Sequence, residues 1–171
     1  MIIAGMSPTP ERLETIDFTE AYYESTHVLL VKNDSEYASA KKLADFAGAT
    51  VIGQTGTIYA DLVPQAVAAG AVAGNNLATV PLIVNAILND TVDATIVEEP
   101  VAKGICSQYS NLSYVVLSDG FDVAKEDKVV SIGVRKGYDL TEEINEVLKN
   151  VLTESVRVQL MEEAIANAPA E

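Results

Sequence analysis

Three stretches of the chain place polar side chains where backbone groups can assist them. Arg12 follows Ser7 by five residues, just after the apolar run Ile2-Ile3-Ala4-Gly5. Gly56-Thr57-Ile58 opens a helical segment after Thr50-Val51-Ile52-Gly53, and Glu98 closes Asp93-Ala94-Thr95-Ile96-Val97. A guanidinium is a planar fork that matches a carboxylate. Unpaired N–H groups at a helix start attract anions, and a carboxylate such as Glu98 accepts from a cation. One carboxylate clamp and one ammonium clamp together suit an amino-acid zwitterion. The same residues also have plain roles. Arg12 can pair with Glu11 or Glu14, Thr57 can serve as an N-cap, and Glu98-Glu99 can favour a helix dipole. Spacing alone leaves both readings open.

The elements that would position these residues alternate. Ile2–Ala4 reads as a strand, followed by a helix of about one and a half turns over Glu11–Ile16 with Pro10 in its first turn after a Thr9 cap. Tyr22–Val31 is a single extended run rich in Tyr, Thr and Val. Ser39–Phe46 reads as a short helix, Thr50–Gly53 as a strand, and Thr57–Ala69 as a helix bent at Pro64. A weak strand Val72–Leu77 precedes the helix Thr79–Leu88, whose Val80, Ile83, Val84 and Ile87 recur at helical spacing. Asp93–Val97, Leu112–Leu117 and Val129–Val134 are strands. Glu99–Tyr109, Asp139–Leu152 and Val156–Ile165 are helices, and the last four residues read as a frayed tail. This alternation predicts an α/β protein with mostly parallel sheets. In such sheets ligands sit beyond the carboxyl ends of the strands, where Ser7, Arg12, Thr57 and Glu98 fall.

Composition narrows the function. Eleven Lys and Arg against 25 Asp and Glu give a formal charge of −14 and a pI near 4.3. That balance argues against nucleic acid, which needs clustered cations, and against an anionic membrane surface. With 49% apolar residues the chain has the means to build a core. One Cys and one His offer no disulfide and no zinc set, so no metal or cofactor is expected. His27, in Thr-His-Val-Leu-Leu, reads as a structural histidine. Cys106 reads as a buried thiol, Tyr22-Tyr23 as packing residues, and the acidic run Glu142–Glu146 as a solvated face. No second catalytic group or activated nucleophile accompanies Glu98.

Four stretches in order carry a resemblance. Ile2–Tyr23, IIAGMSPTPERLETIDFTEAYY, resembles AGM-S/T-x-T-x-x-R-x-x-x-x-D-F-S/T-x-x-Y of the amino-acid-binding proteins of ABC importers, the polar amino-acid solute-binding family. The lysine-flanked LADFAGATVIGQTGT, then DATIVEEPVA, then VSIGVRKG before the last helices, are similar to the same family. Together they span nearly the whole chain. The resemblance implies two α/β lobes joined by two extended crossovers, with an amino acid held in the cleft between them. It puts residues 1–31 in a remnant of lobe one and the first crossover, 32–97 in a complete lobe two, and 98–171 in the second crossover, near Glu99–Tyr109, and the rest of lobe one.

By the same resemblance, Arg12 would hold the ligand's carboxylate, with Thr57 and the Ile58 N–H holding it from the other lobe. Ser7 and the Gly5 backbone would meet ammonium and carboxylate. Glu98 would hold the ammonium, one methylene longer than the family's usual Asp. A membrane permease is the implied partner, and the location is periplasmic or extracellular. Family members carry about two further strands and a helix before the AGM motif, so the chain is expected to be a member lacking the start of lobe one and its export signal. The apolar faces of Ile2, Ile3, Val130 and Ile132 would then meet water, and a homodimer, with or without exchange of elements across the hinge, is expected to cover them. The alternatives are a dehydratase-like enzyme on the same scaffold, with Glu98 as general acid, and a ligand-sensing receptor domain.

Overall fold

A computed structural model describes residues 1–24 and 26–167 of the 171-residue chain. Within them the chain forms two compact units, one from residues 1–24 and 123–167 and the other from 26–122. The units divide at these points, rather than at 31 and 97, because the strand His27–Lys32 and everything from Glu99 to Val115 are built into the second unit's sheet and core. Glu99–Gln108, read above as the neighbourhood of a crossover, is a helix packed on that sheet. The expected frayed tail lies outside the described residues.

The second unit is a five-stranded sheet. Its strands, numbered along the whole chain, are β3 (His27–Lys32), β4 (Thr50–Ile52), β5 (Val72–Ala73), β6 (Ala94–Glu98) and β7 (Leu112–Val115), in the spatial order β5-β4-β6-β3-β7. The sheet is mixed, not mostly parallel. Strand β4 runs parallel to β5 and β6, while β3 runs antiparallel to both β6 and β7. The cause is connectivity. Strands β5, β6 and β7 are each entered from a helix, namely α2 (Ile58–Ala68), α3 (Val80–Leu88) and α4 (Glu99–Gln108), which returns the chain to the same end. Strand β3 arrives from the first unit with no helix before it and threads between β6 and β7 in the opposite sense.

Four consecutive apolar residues, Val28-Leu29-Leu30-Val31, are fully buried, as a strand covered on both faces must be. Val28 and Leu30 join Ile52, Ile83, Val84, Ile87 and Ile105 in one cluster. The alternate residues Leu29, Val31, Val51 and Ile96 point to the other face and are equally buried. The expected helix over Ser39–Phe46 is two 3₁₀ turns, Glu36–Ser39 and Leu43–Phe46. The Asp45 carboxylate accepts the N–H groups of Lys41 and Lys42 at 2.8 and 3.0 Å and so competes with a regular helix. Those two bonds hold the Asp45 carboxyl below its ordinary pKa.

The first unit is built on β1 (Ile2–Met6), β2 (Ile16–Glu24) and β8 (Val129–Arg135), with β8 central and antiparallel to both neighbours. The run Tyr22–Val31 is thus two strands in two sheets. Strand β2 bulges between Phe18 and Ala21. There the buried Thr19 hydroxyl accepts the Ile132 N–H at 3.1 Å, which restores a missing ladder bond. Helices α1 (Pro10–Thr15), α5 (Thr141–Asn150) and α6 (Glu154–Ala166) complete the unit. Val130 and Ile132, expected to meet water, are buried at 3% and 6% exposure, because β8 is flanked by two strands and Ile132 lies beneath Leu148 of α5. Ile2 and Ile3 on the edge strand are exposed, as expected, and α6 buries none of its side chains. Among the described residues no helix is long and apolar enough to cross a membrane.

One backbone contact sets where α2 begins. A Cβ on Gly53 would lie 2.5 Å from the Ala60 nitrogen and 2.6 Å from the Tyr59 carbonyl carbon. Those atoms belong to the helix backbone and cannot swing aside. Gly53→Ala should therefore destabilise the fold by about 1–3 kcal/mol, read as a lowered denaturation midpoint at unchanged m.

Candidate functional site

In the first unit, Gly5, Ser7 and Arg12 are gathered by a turn between β1 and α1. Gly5 takes φ +59°, with open space where a Cβ would be. Thr9 caps α1 by accepting the Arg12 N–H at 3.4 Å, and Pro10 follows in the first turn. The buried Ser7 offers its carbonyl to two donors, the Thr9 N–H at 2.9 Å and the Arg12 Nη1 at 3.0 Å. The guanidinium is therefore tied to backbone, not to Glu11 or Glu14, and it is half-buried. Lys136, from the VSIGVRKG stretch, pins the same region. Its Nζ donates to the Leu13 carbonyl at 2.6 Å and to Asp17 Oδ1 at 3.0 Å. The Gly137 N–H, and after it Lys136, hold the Asp17 carboxyl below its ordinary pKa.

In the second unit the site residues sit at the carboxyl ends of the parallel strands. Thr57 is the residue before α2, but its hydroxyl donates to the Gln54 carbonyl at 2.7 Å and does not cap the helix. Ile58 is the first helical residue, so its N–H has no partner within the helix. The preceding loop is clipped to the one after β5. Gly53 N–H donates to Asn76 Oδ1 at 2.8 Å, Thr55 N–H to the Leu77 carbonyl at 2.9 Å, and Gln54 Nε2 to the Ala78 carbonyl at 3.1 Å.

Glu98 ends β6 and stands at the start of α4, where its side chain makes no cap. Its half-buried Oε1 accepts the Tyr59 hydroxyl at 2.5 Å. Burial pushes the Glu98 carboxyl above its ordinary pKa, and the Tyr59 hydrogen bond opposes that. His27 is the cross-strand neighbour of Glu98, and its ring lies 5.8 Å from that of Tyr59, tilted by 56°. Glu99 plays the ordinary helix-start part and pairs with Lys103 at 2.9 Å. Beneath Glu98 and Tyr59 lies an apolar cavity of about 50 Å³, reached by Leu30, Val80 and Ile83. Cys106 is half-buried within the core cluster, and burial raises its thiol pKa, as an inert structural cysteine requires.

The structure thus brings together Gly5, Ser7 and Arg12 in one unit, and Thr57, Ile58 and Glu98 through the first turn of α2 in the other. Sequence reasoning missed Tyr59, Asn76 and Lys136. Only the two-residue offset of Tyr59 from Thr57 hinted at its place, because its meeting with Glu98 depends on β4 and β6 being neighbours.

Two α/β units joined by extended chain define a two-lobe binding-protein architecture. The model of the bacterial extracellular solute-binding proteins, family 3, matches residues 1–164, and the chain belongs to that family. It is similar to the arginine-binding extracellular protein ArtP of Bacillus subtilis, 30% identical over 151 residues that cover 88% of this chain and 57% of that protein. The glutamine-binding protein GlnH of the same organism is 27% identical over 99% of this chain and 59% of its own length. A solved structure of the amino-acid ABC transporter substrate-binding protein AbpA from Streptococcus pneumoniae, bound to L-arginine, superposes with a TM-score of 0.78 at 25% identity, covering 95% of this chain and 66% of that one. The chain spans a little over half the length of ArtP and GlnH.

The half-buried Glu98 carboxylate has a measurable effect on stability. Its pKa is raised on folding, so ionisation opposes folding. Its penalty is absent at acid pH and grows as pH rises through the ordinary carboxylate range and beyond. Glu98→Gln, which can still accept from Tyr59, should raise Tm at about pH 7.5 and lose that advantage by about pH 4.

Proposed function

We propose that this chain is the amino-acid-binding portion of a solute-binding component of an ABC importer, and that it binds a free polar α-amino acid without turnover. The observation that carries the reading is Glu98, a half-buried carboxylate at a strand end, one oxygen of which is already hydrogen-bonded. A burial cost that local structure does not require is expected where a cation is to be held. Membership of an extracellular solute-binding family supports the rest, as do relatives named for arginine and glutamine binding. In this reading Arg12 takes the ligand's carboxylate, with Ser7 and the Gly5 backbone beside it. The Ile58 N–H adds to the anion contact and Glu98 takes the ammonium. Because Thr57 gives its proton to the Gln54 carbonyl, its part is to shape the turn that presents Ile58, or to turn its hydroxyl when the ligand arrives. A membrane permease receives the ligand, and the site of action is outside the cytoplasmic membrane.

The test is a melting shift of the protein with each of the twenty α-amino acids and with prephenate. A rise with one or more amino acids and no consumption of prephenate is the expected result. In titration calorimetry with the best of them, Arg12→Ala should weaken binding by about 2 kcal/mol or more, roughly thirtyfold in Kd. A loss under threefold would remove Arg12 from the site.

The first unit's surface supports a second proposal, that this chain forms a homodimer through that unit, by swapping or by edge pairing. Met1, Ile3, Val151 and Leu160 are each at least half exposed on it, and β1 and β2 are the outer strands of its sheet. Light scattering should give twice the chain's 18.2 kDa mass. A monomer with one sharp melting transition would refute the dimer.

A further inference from the structure

Glu98 is one methylene longer than an aspartate and stands on a helix start, so its carboxyl could swing among several positions. Three contacts remove that freedom. Tyr59, on the first turn of α2, donates its phenolic proton to Oε1 at 2.5 Å. The Tyr59 ring is held against His27, which is buried and directly opposite Glu98 across the β3–β6 pair. The cavity behind the pair is walled mainly by Leu30, Val80, Ile83 and Ile105, and its polar side chains are engaged elsewhere, Gln54 Nε2 on the Ala78 carbonyl and the Thr95 hydroxyl on the Ile52 carbonyl. Among the described residues Oε2 accepts no hydrogen bond.

We infer that Tyr59 is a positioning residue for ligand binding, fixing Glu98 in one orientation with Oε1 occupied and Oε2 presented as the single acceptor for the ligand's ammonium. This deepens, and rests on, the amino-acid-binding reading above. A phenol suits the task because it donates one hydrogen bond along a fixed direction and loses little rotamer entropy in doing so. A donor to the ionised carboxyl also favours the charged form that an ammonium needs. Besides Tyr59, the ionisable groups on the elements packed about Glu98 are Asp61 on α2, His27 and Lys32 on β3, and Cys106 and the Glu99–Lys103 ion pair on α4, while α3 and β4 carry none.

The experiment compares wild type with Tyr59→Phe, which keeps the ring on His27 and deletes only the hydroxyl. Carbon-13 carboxyl NMR of the ligand-free protein follows Glu98 itself across pH. Calorimetry with L-arginine and with L-glutamine follows affinity across the same range. In Tyr59→Phe the Glu98 titration should move to higher pH. Affinity should fall roughly fivefold near neutrality, and the acid-side loss of affinity should begin at higher pH than in wild type. In a Glu98→Gln background the same substitution should cost little, because the charge it positions is gone.

A Tyr59→Phe protein that melts lower, yet keeps the Glu98 titration and the pH profile of binding, would reduce Tyr59 to a packing residue and overturn the inference. Failure of the wild type to bind any α-amino acid would overturn the functional reading instead. The NMR comparison would still decide whether Tyr59 holds Glu98.

Discussion

The hydrogen bond between Tyr59 and Glu98 ties together the elements on which the second unit's site depends. Burying a carboxylate opposes folding unless its oxygens are satisfied, and here one phenol does this for one oxygen. For that phenol to arrive, α2 must begin close to the end of β4, which requires Gly53, and β4 must lie beside β6. Strand β6 in turn needs β3 on its far side, because His27 supports the Tyr59 ring. The clips from Asn76 and the Leu77 carbonyl fix the loop that launches α2. The site is thus an outcome of sheet order, and little of it can be altered locally without disturbing the rest.

The first unit holds Arg12 differently. Arg12 is on a six-residue helix with no buried side chain, so packing cannot hold it. Local hydrogen bonds do so instead, through the Thr9 cap, the Ser7 carbonyl and the Lys136 ammonium on Leu13. A guanidinium tolerates this because it is weakly hydrated and always charged. A buried carboxylate, whose charge depends on its surroundings, needs the stiffer setting that the second unit provides.

Sequence alone disclosed much of this. Helical spacing of Val80, Ile83, Val84 and Ile87, the Thr9-Pro10 start and the placing of Thr57 and Glu98 at strand ends are local signals, and they appear in the structure. Non-local facts were the ones that escaped. The direction of β3 follows from its entry without a helix, which no periodicity records. The break between β2 and β3 separates two sheets, although the Tyr and Thr of β2 and the Val of β3 all favour extended chain. Val130 and Ile132 looked destined for solvent because the centre of a sheet and its edge read alike along the chain. Asp45 undid a helix through two side-chain bonds that hydrophobic pattern does not register. Tyr59 met Glu98 across 39 positions of sequence.

Glutamate at position 98 and tyrosine at 59 make most sense as a matched pair. An aspartate there would draw the carboxyl back by about 1.5 Å, one carbon–carbon bond, and at that distance the phenol would no longer reach it. The tyrosine would then lose its hydrogen bond to residue 98, at a cost of about 0.5–1.5 kcal/mol. Conversely, a glutamate without the tyrosine would carry an extra rotatable bond and no donor to hold its carboxyl in one orientation. The longer acid extends reach and loses direction, and the phenol restores direction. Neither substitution is conservative by itself, although each looks so in isolation.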